Sequence, residues 1–142
     1  MIIPDVNLLV YAYSADAPGH RKAKAWWEAL LSEYHEVGIP WVVSHGFIRL
    51  MTHPRVLERP LRVAAAVGHV RRWLEWPGVQ VLEPGPRHLD ILGAVLDEAG
   101  SGGNLTTDAV LAALAIEYRC ELHSNDVDFS RFSGLRWINP LR

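Results

Sequence analysis

Four aspartates occupy positions where carboxylates can do chemistry: Asp5, Asp108, Asp126 and Asp128. Asp5 lies inside the apolar segment 2–11, where burying a lone carboxylate is costly unless it has partners. Clustered carboxylates repel one another and usually need a cation, and hard oxygen ligands favour Mg²⁺ or Mn²⁺ over zinc. The four side chains therefore predict a site for one of these ions, which can activate water and stabilise charge on a phosphoryl group.

Purely structural interpretations remain open for several of these residues. Asp108 can be the favourable negative charge in the first turn of a helix, worth up to about 1 kcal/mol. Asp126 and Asp128 can be turn-forming residues, since Asn-Asp is common in turns. Asn7 follows Asp5 by two residues, on the same face of the predicted strand, and can either orient the Asp5 carboxylate or cap the following turn.

The elements that must position these side chains follow from the hydrophobic pattern. An apolar run such as residues 2–11 is typical of a strand buried on both faces of a parallel sheet. Strands alternate with helices, which indicates an α/β domain with a mainly parallel sheet. We predict strands over residues 2–11, 79–82, 120–124 and 135–138, helices over residues 20–35, 43–52, 60–73, 87–98 and 106–119, and a short helix or turn over residues 128–132.

This arrangement explains how distant acids can meet. In an open parallel sheet, the carboxyl ends of the strands and the N-termini of the helices converge on one crevice. Asp5 and Asp126 lie at strand ends and Asp108 lies at a helix start. We therefore expect the three carboxylates to be close in space.

Length and composition exclude several classes of protein. The 142 residues suit one domain spanning the whole chain. With 49% hydrophobic and 21% charged residues, intrinsic disorder is excluded. No stretch approaches the roughly 18 uncharged apolar residues of a membrane-spanning helix. One cysteine, Cys120, leaves no internal disulfide or cysteine-based zinc site and favours the reducing cytoplasm.

Charge is unevenly distributed along the chain. Residues 49–72 carry six arginines and one acid, whereas residues 73–128 carry ten acids and two bases. A basic block beside an acidic block is typical of a protein that binds a polyanion near a cation site. Two ordinary solvated helix faces would give the same pattern.

Several sequence blocks occur in an informative order. They are IPDVNLLVYA at residues 3–12, FIR at 47–49 followed by THPRV at 52–56, NLTTDA at 104–109 and SNDVDF at 124–129. With these blocks, the sequence resembles the PIN-domain ribonucleases, and more closely the VapC-type toxins of bacterial toxin–antitoxin pairs. The resemblance extends along nearly the whole chain.

The resemblance implies a PIN-like three-layer α/β/α sandwich with a mainly parallel sheet of about five strands. It also implies a Mg²⁺- or Mn²⁺-dependent endoribonuclease that hydrolyses RNA phosphodiester bonds. By position, Asp5 and Asp108 match the principal metal ligands and Asp126 matches a further acid, while Asp128 falls just beyond it. Asp126 would orient the attacking water or a second ion. The arginines that would hold flanking RNA phosphates are Arg49, Arg55, Arg59 and Arg62.

Gly46 departs from the family pattern, which usually has a glutamate at this position. The alternative function is therefore an RNA-binding module that keeps the fold but cleaves poorly. A phosphatase of the haloacid-dehalogenase type would need Asp-x-Asp where this chain has Asp5-Val6-Asn7. A receiver domain would need paired acids before the first helix, so both classes fit less well.

The resemblance also implies a homodimer that is neutralised by a separate VapB-like antitoxin. Local support comes from the apolar helix predicted over residues 20–35, in which Trp26 and Trp27 can mark a surface for a protein partner. We expect the antitoxin to lay a helix or extended segment over that surface and to place a basic side chain near the acids.

Overall fold

The computed structural model describes residues 1–33, 35–100 and 102–142. The strands are β1 (Ile2–Pro4), β2 (Val37–Pro40), β3 (Val79–Leu82), β4 (Glu121–His123) and β5 (Arg136–Ile138). The α-helices are α1 (Val6–Tyr13), α2 (His20–Ser32), α3 (Trp41–Met51), α4 (Val63–Glu75), α5 (His88–Ala99) and α6 (Thr106–Glu117). Short 3₁₀ helices span Gly103–Leu105 and Val127–Arg131.

The five strands form one parallel sheet in the order β3-β2-β1-β4-β5. The chain starts at the centre, builds β2 and β3 on one side, and then crosses over to build β4 and β5 on the other. The direction of winding therefore reverses between β1 and β4. A crevice opens beyond the carboxyl ends of the strands at such a reversal, which is where the predicted acids belong.

The helices cover the sheet in two groups. Helix α1 packs on α2 and α3, and α3 packs on α4, whereas α5 packs on α6. The first group closes over an aromatic cluster of Tyr13, Phe47 and Trp73, in which the Phe47 and Trp73 rings lie 4.6 Å apart. Helix α6 is buried through small and aliphatic side chains from Ala109 to Ala115. The predicted α/β/α sandwich with five parallel strands is confirmed.

The prediction of one strand over residues 2–11 is wrong beyond residue 4. The chain leaves β1 after Pro4 and enters α1 at Val6. Helix α1 is buried at Leu8, Leu9 and Val10, so its sequence is apolar on nearly every face. A short apolar run of this kind does not distinguish a buried strand from a buried helix. Asn7 consequently lies in the first turn of α1 and shares no strand face with Asp5.

Other boundaries differ more modestly. Strand β2 was not predicted, because Gly38 and Pro40 are residues that usually mark turns, yet all four of its residues are buried. Pro60 does not open a helix, since α4 begins at Val63. The strand predicted over residues 79–82 is confirmed without change.

Of the two tryptophans of α2, Trp26 is half-buried and Trp27 is buried, so the prediction of a partner surface is wrong for Trp27. Trp27 is 2% exposed, and its ring packs edge-on against Trp73 at 5.6 Å. The Trp26 indole N–H donates a hydrogen bond to His123 Nδ1 at 3.0 Å. Both side chains therefore fix α2 to the protein's own core. None of the helices in the described ranges is long and apolar enough to cross a membrane.

Candidate active site

Asp5 ends β1 and caps α1, so one side chain links the sheet to the first helix. Its Oδ1 accepts a hydrogen bond from the Val6 backbone N–H at 2.7 Å. Its Oδ2 accepts another from the Ser124 hydroxyl at 2.7 Å. The residue is only 4% exposed. The cost of burying this carboxylate is thus offset by two short hydrogen bonds.

Ser124 connects the ends of the two central strands. It follows β4, is fully buried, and its Oγ donates to Asp5 while accepting from the Asp126 backbone N–H at 3.0 Å. The Ser124 carbonyl accepts from the Trp137 indole N–H at 2.9 Å. Ser124 therefore holds the Asp5 carboxylate and the backbone of Asp126 in one fixed arrangement.

Asp126 begins the 3₁₀ helix Val127–Arg131 as its N-cap. Its Oδ1 accepts a hydrogen bond from the Asp128 backbone N–H at 2.9 Å. This turn brings the Asp126 and Asp128 side chains to the same side of the crevice. The turn-forming role and the site role of these residues are therefore compatible.

Asp108 reaches the crevice from the opposite helical layer, in the first turn of α6. Asp108, Asp126 and Asp128 each offer a carboxylate oxygen, and the three atoms lie within 4.8 Å of one another. All three residues are half-buried. The structure thus brings together acids that are up to 20 positions apart in the sequence.

The electrostatics of the site reflect its excess of negative charge. Burial, followed by repulsion from Asp126, Asp5 and Asp128, raises the pKa of Asp108 to about 6. Burial also raises the pKa of Asp5, with a smaller contribution from Asp126, while its hydrogen bonds with Ser124 and Val6 act in the opposite direction. A cation at this position would relieve the repulsion.

The donor set fits a hard divalent cation. Carboxylate oxygens are the ligands that Mg²⁺ and Mn²⁺ prefer. Among the described residues, each Asp5 oxygen accepts one hydrogen bond, and a carboxylate oxygen has about two acceptor sites. Asp5 therefore retains acceptor capacity beside the cluster of Asp108, Asp126 and Asp128.

Gly46 stands on α3 against α1. A Cβ built at Gly46 would lie 3.1 Å from Val6 Cγ2, and Val6 is the residue that donates to Asp5. Gly46 thus faces the helix that carries the site and contributes no carboxylate to it. Asn7 lies in the same turn of α1, but Asp5 is held by Val6 and Ser124, so a supporting role for Asn7 stays a prediction.

The predicted RNA-contacting arginines are all exposed: Arg49, Arg55, Arg59 and Arg62. Arg59 differs from the others because its Nη2 donates to both carboxylate oxygens of Asp16, at 2.9 and 3.0 Å. This ion pair ties the segment after α3 to the turn between α1 and α2. Arg59 would have to exchange Asp16 for a phosphate in order to bind RNA.

His123, a buried residue at the end of β4, is hydrogen-bonded to the backbone of Asp5. His123 Nδ1 accepts from Trp26, and its Nε2 lies 3.1 Å from Glu121 Oε1. Because an indole N–H can only donate, the Nδ1 atom is unprotonated and Nε2 donates to Glu121. Burial lowers the pKa of His123, which the hydrogen bond with Glu121 opposes. The His123 carbonyl in turn accepts the Asp5 backbone N–H at 2.9 Å.

Ser124 is the residue of this site that sequence reasoning missed. Tested only as a hydrolase nucleophile, it had no suitable histidine and aspartate partners. The Ser-x-Asp spacing of Ser124 and Asp126 carried the relevant signal, since a serine hydroxyl often accepts from the backbone N–H two residues later.

Comparisons with known proteins agree with this geometry. A family model described as the PIN domain matches residues 2–135. Ribonuclease VapC33 of Mycobacterium tuberculosis is 49% identical over 142 residues, which cover 100% of this chain and 99% of the relative. Ribonuclease VapC37 of the same species is 41% identical over 140 residues, covering 99% and 97% respectively.

Solved structures with the same fold include toxin–antitoxin complexes. VapBC2 from Rickettsia felis, bound to a promoter DNA fragment, matches with a TM-score of 0.69 and 17% identity, covering 98% of each chain. VapBC-1 from nontypeable Haemophilus influenzae matches with a TM-score of 0.70 and 18% identity, covering 100% of each chain. At these identities the similarity establishes the shared fold.

Proposed function

This chain belongs to the PIN-domain family, among its VapC ribonucleases, and on that premise we propose that it is a Mg²⁺- or Mn²⁺-dependent endoribonuclease toxin. The observation that carries the proposal is the convergence of three carboxylate oxygens within 4.8 Å next to the buried, doubly hydrogen-bonded Asp5. Its substrate would be RNA, and the bond hydrolysed would be a phosphodiester.

The four aspartates would have different roles in metal binding and catalysis, according to how the chain holds each side chain. Asp5, fixed by Val6 and Ser124, would be the rigid ligand that sets the position of the ion. Asp108 and Asp128 would complete the oxygen ligands from the other sides of the crevice. Asp126 would orient the attacking water, since Ser124 and the turn after β4 fix its backbone.

The ion would supply what the side chains lack. A bound Mg²⁺ or Mn²⁺ would stabilise negative charge on the phosphoryl group and make the attacking water more acidic. The exposed arginines at positions 49, 55 and 62 would hold flanking phosphates and orient the RNA across the crevice.

A cleavage assay with defined metals tests this function. The purified chain is incubated with single-stranded RNA and Mg²⁺, Mn²⁺, Ca²⁺ or a chelator, and the RNA ends are sequenced. We expect cleavage with Mg²⁺ or Mn²⁺, and none with the chelator. Asp97→Asn, which changes an exposed acid of α5, is the matched control and should cut as the wild type does. Equal cleavage with the chelator would reject the metal-dependent mechanism.

The second candidate function is an RNA-binding module with weak activity, favoured by the absence of a carboxylate at Gly46. The same assay separates the two, because the module would bind RNA but cut it poorly with every metal tested. Sequencing after expression of wild type and Asp5→Ala in cells would show which RNA is cut.

We further propose a VapB-like antitoxin as the partner and a homodimer as the assembly. The support is that structural neighbours are VapBC complexes and that the relatives are VapC ribonucleases. Co-purification with the small protein encoded beside it should abolish RNA cleavage. Sedimentation of the isolated chain at micromolar concentration tests the dimer, which a strictly monomeric species would rule out.

A further inference from the structure

An exposed pair of aromatic rings stands at the start of α3. Trp41 is 44% exposed, and its ring stacks on His45 with centroids 5.9 Å apart and planes inclined by 24°. The ring is open to solvent, whereas the core buries Trp27 and Trp73 almost completely. The pair offers a flat π-surface of the kind on which nucleobases stack.

The rings border a cleft of about 430 Å³ between α3 and α4. Ser44 and Ile48 line it from α3, and Arg71 and Leu74 line it from α4, with Glu75 at the end of α4. Ser44 is 1% exposed, and its Oγ has no hydrogen-bond partner in the part of the chain that the structure covers. A buried hydroxyl without a partner is costly, and the polar edge of a base could satisfy it.

The start of α3, where the cleft begins, lies at the same end of the sheet as Asp5. Ile2 of β1 is level with Val37 of β2, so Asp5 is level with Pro40, the residue before Trp41. Trp41 and His45 form one row along α3, and Val42, Gly46 and Arg49 form another. Each residue of the first pair directly precedes a residue of the second row, so the two rows are about 100° apart around the helix.

This shared end of the sheet would let one strand of RNA run from the acids to the cleft. Gly46 faces the helix that follows Asp5, and Arg49 is exposed one turn beyond it. A nucleotide whose phosphate lies at the acids can thus place a neighbouring base on the Trp41 ring. Arg71 is exposed at the cleft rim and supplies positive charge for the adjoining phosphate.

We propose that the cleft between α3 and α4 is a nucleobase subsite, in which Trp41 and His45 stack on a base of the RNA next to the scissile phosphate and Ser44 contacts its edge. The inference rests on the proposed ribonuclease function. It makes Trp41 a residue that binds substrate and contributes to the choice of cleavage position.

Binding measurements on matched variants test the subsite. The probes are a single-stranded RNA of mixed sequence and a ribose–phosphate oligomer of equal length without bases, titrated against an Asp108→Asn background that prevents cleavage. Trp41→Ala should weaken binding to the RNA by about 5- to 150-fold, the equivalent of 1–3 kcal/mol per stacked base. It should leave both the salt dependence and the affinity for the oligomer without bases unchanged.

Trp76→Ala is the control, because Trp76 is also 44% exposed but does not line the cleft. It should bind both probes as the parent does. Equal RNA affinity of Trp41→Ala and Trp76→Ala would overturn the subsite, as would an equal loss on both probes. A change in sedimentation of Trp41→Ala at unchanged RNA affinity would also overturn it and assign the cleft to a second copy of the chain.

The outcome is distinguishable from failure of the proposed function. If the wild-type chain with intact Asp108 binds RNA through Trp41 but cuts none with Mg²⁺ or Mn²⁺, the subsite stands and the catalytic proposal falls. If it cuts RNA and Trp41→Ala leaves both rate and cleavage positions unchanged, the function stands and the subsite falls.

Discussion

Asp5 faces the crevice from the end of β1 and Asp108 faces it from the first turn of α6, and the chain holds them in different ways. Asp5 is buried and receives hydrogen bonds from Val6 and Ser124, so its two oxygens are fixed in place. Asp108 is half-buried on α6, where burial, followed by repulsion from three other carboxylates, raises its pKa to about 6. The first acid is preorganised by the fold, whereas the second is repelled by the carboxylates around it.

The largest expected effect comes from removing either charge. Asp5→Asn and Asp108→Asn should each lower the rate of RNA cleavage at least about 100-fold, since metal-assisted stabilisation of the transition state is worth several kcal/mol. Both substitutions keep the side-chain volume, so the far-UV circular dichroism should not change. Single-turnover cleavage at saturating Mg²⁺ is the measurement. A wild-type rate in either variant would remove that residue from the metal site.

Ser124→Ala should disturb Asp5 and the backbone of Asp126, the two groups that Ser124 holds. It leaves one buried carboxylate oxygen and the Asp126 N–H without their partner, which costs about 1–3 kcal/mol of unfolding free energy. Misplacing Asp5 by this substitution should slow cleavage about 10- to 100-fold. Urea denaturation and the cleavage rate are measured together.

Ser44→Ala is the matched control for the urea denaturation in that experiment. Ser44 is as buried as Ser124, but its hydroxyl has no hydrogen-bond partner in the described ranges, so the free energy of unfolding should stay the same or rise. If both serine variants lose equal stability, the hydrogen bond with Asp5 does not contribute as the geometry suggests.

The pH dependence of the free energy of unfolding should reveal the repulsion at Asp108. The pKa of Asp108 is raised from 3.8 to about 6 in the folded chain, so the folded state binds the proton more tightly than the unfolded state. The stability associated with this group is complete below pH 3.8 and is lost as the pH rises through about 6. Without metal, Asp108→Asn should therefore melt higher than the wild type at pH 7.5 and show little difference at pH 4.

The quantity to measure is the difference in Tm between the wild type and Asp108→Asn at each pH. Other groups affect the stability of both proteins, and some of them stabilise the fold at high rather than low pH. The pKa of His123 is lowered, so its contribution is present above 6.5 and is lost as the pH falls. For domains near this size, each 1 kcal/mol corresponds to about 2–8 °C in Tm. Adding Mg²⁺ at pH 7.5 should raise the Tm of the wild type more than that of Asp108→Asn. A difference that does not vary with pH would contradict the repulsion.

The contrast between these two acids also shows what the sequence reveals. The convergence of Asp5, Asp108 and Asp126 was predictable, because strand ends and helix starts meet at the point where a parallel sheet reverses its winding. The helical state of the residues after Asp5 was not, since an all-round apolar helix has no amphipathic period. Strand β2 was hidden by Gly38, which is required because a Cβ there would overlap the Leu82 side chain.

Tertiary hydrogen bonds were the least accessible from the sequence. The pattern of the predicted helix over residues 20–35 marks Trp26 and Trp27 as apolar, but only the fold shows that Trp26 donates to His123. The pairing of Arg59 with Asp16 joins segments 43 positions apart, a distance at which charge counting gives no information. Contacts of this kind depend on the packing of whole elements rather than on local spacing.

A smaller effect should distinguish the exposed arginines of the segment between α3 and α4. Arg55→Ala and Arg62→Ala should each weaken RNA binding and reduce the slope of log K against log salt by about 0.7, the value for one contact to a single strand. Arg59→Ala should change the slope less, because Arg59 already pairs with Asp16. Asp16→Ala should release Arg59 and steepen the slope. An unchanged slope in every variant would assign these side chains to the solvated surface.

The smallest effect concerns Gly46, which lies against Val6, the residue that donates a hydrogen bond to Asp5. A Cβ there would lie 3.1 Å from Val6 Cγ2, so Gly46→Ala requires a small shift of the residue that anchors Asp5. Replacing glycine by alanine inside a helix stabilises the helix by up to about 1 kcal/mol. The steric cost and this gain should nearly cancel in the free energy of unfolding.

Gly46→Glu adds a negative charge beside Val6, and Gly46→Gln is its neutral control. If position 46 reaches the acids, Gly46→Glu should bind Mn²⁺ more tightly than Gly46→Gln, since affinity for hard ions follows ligand charge, and should melt lower without metal at pH 7.5. Equal Mn²⁺ affinity in the two variants would mean that the side chain turns away from the crevice and that the site functions with the four aspartates alone.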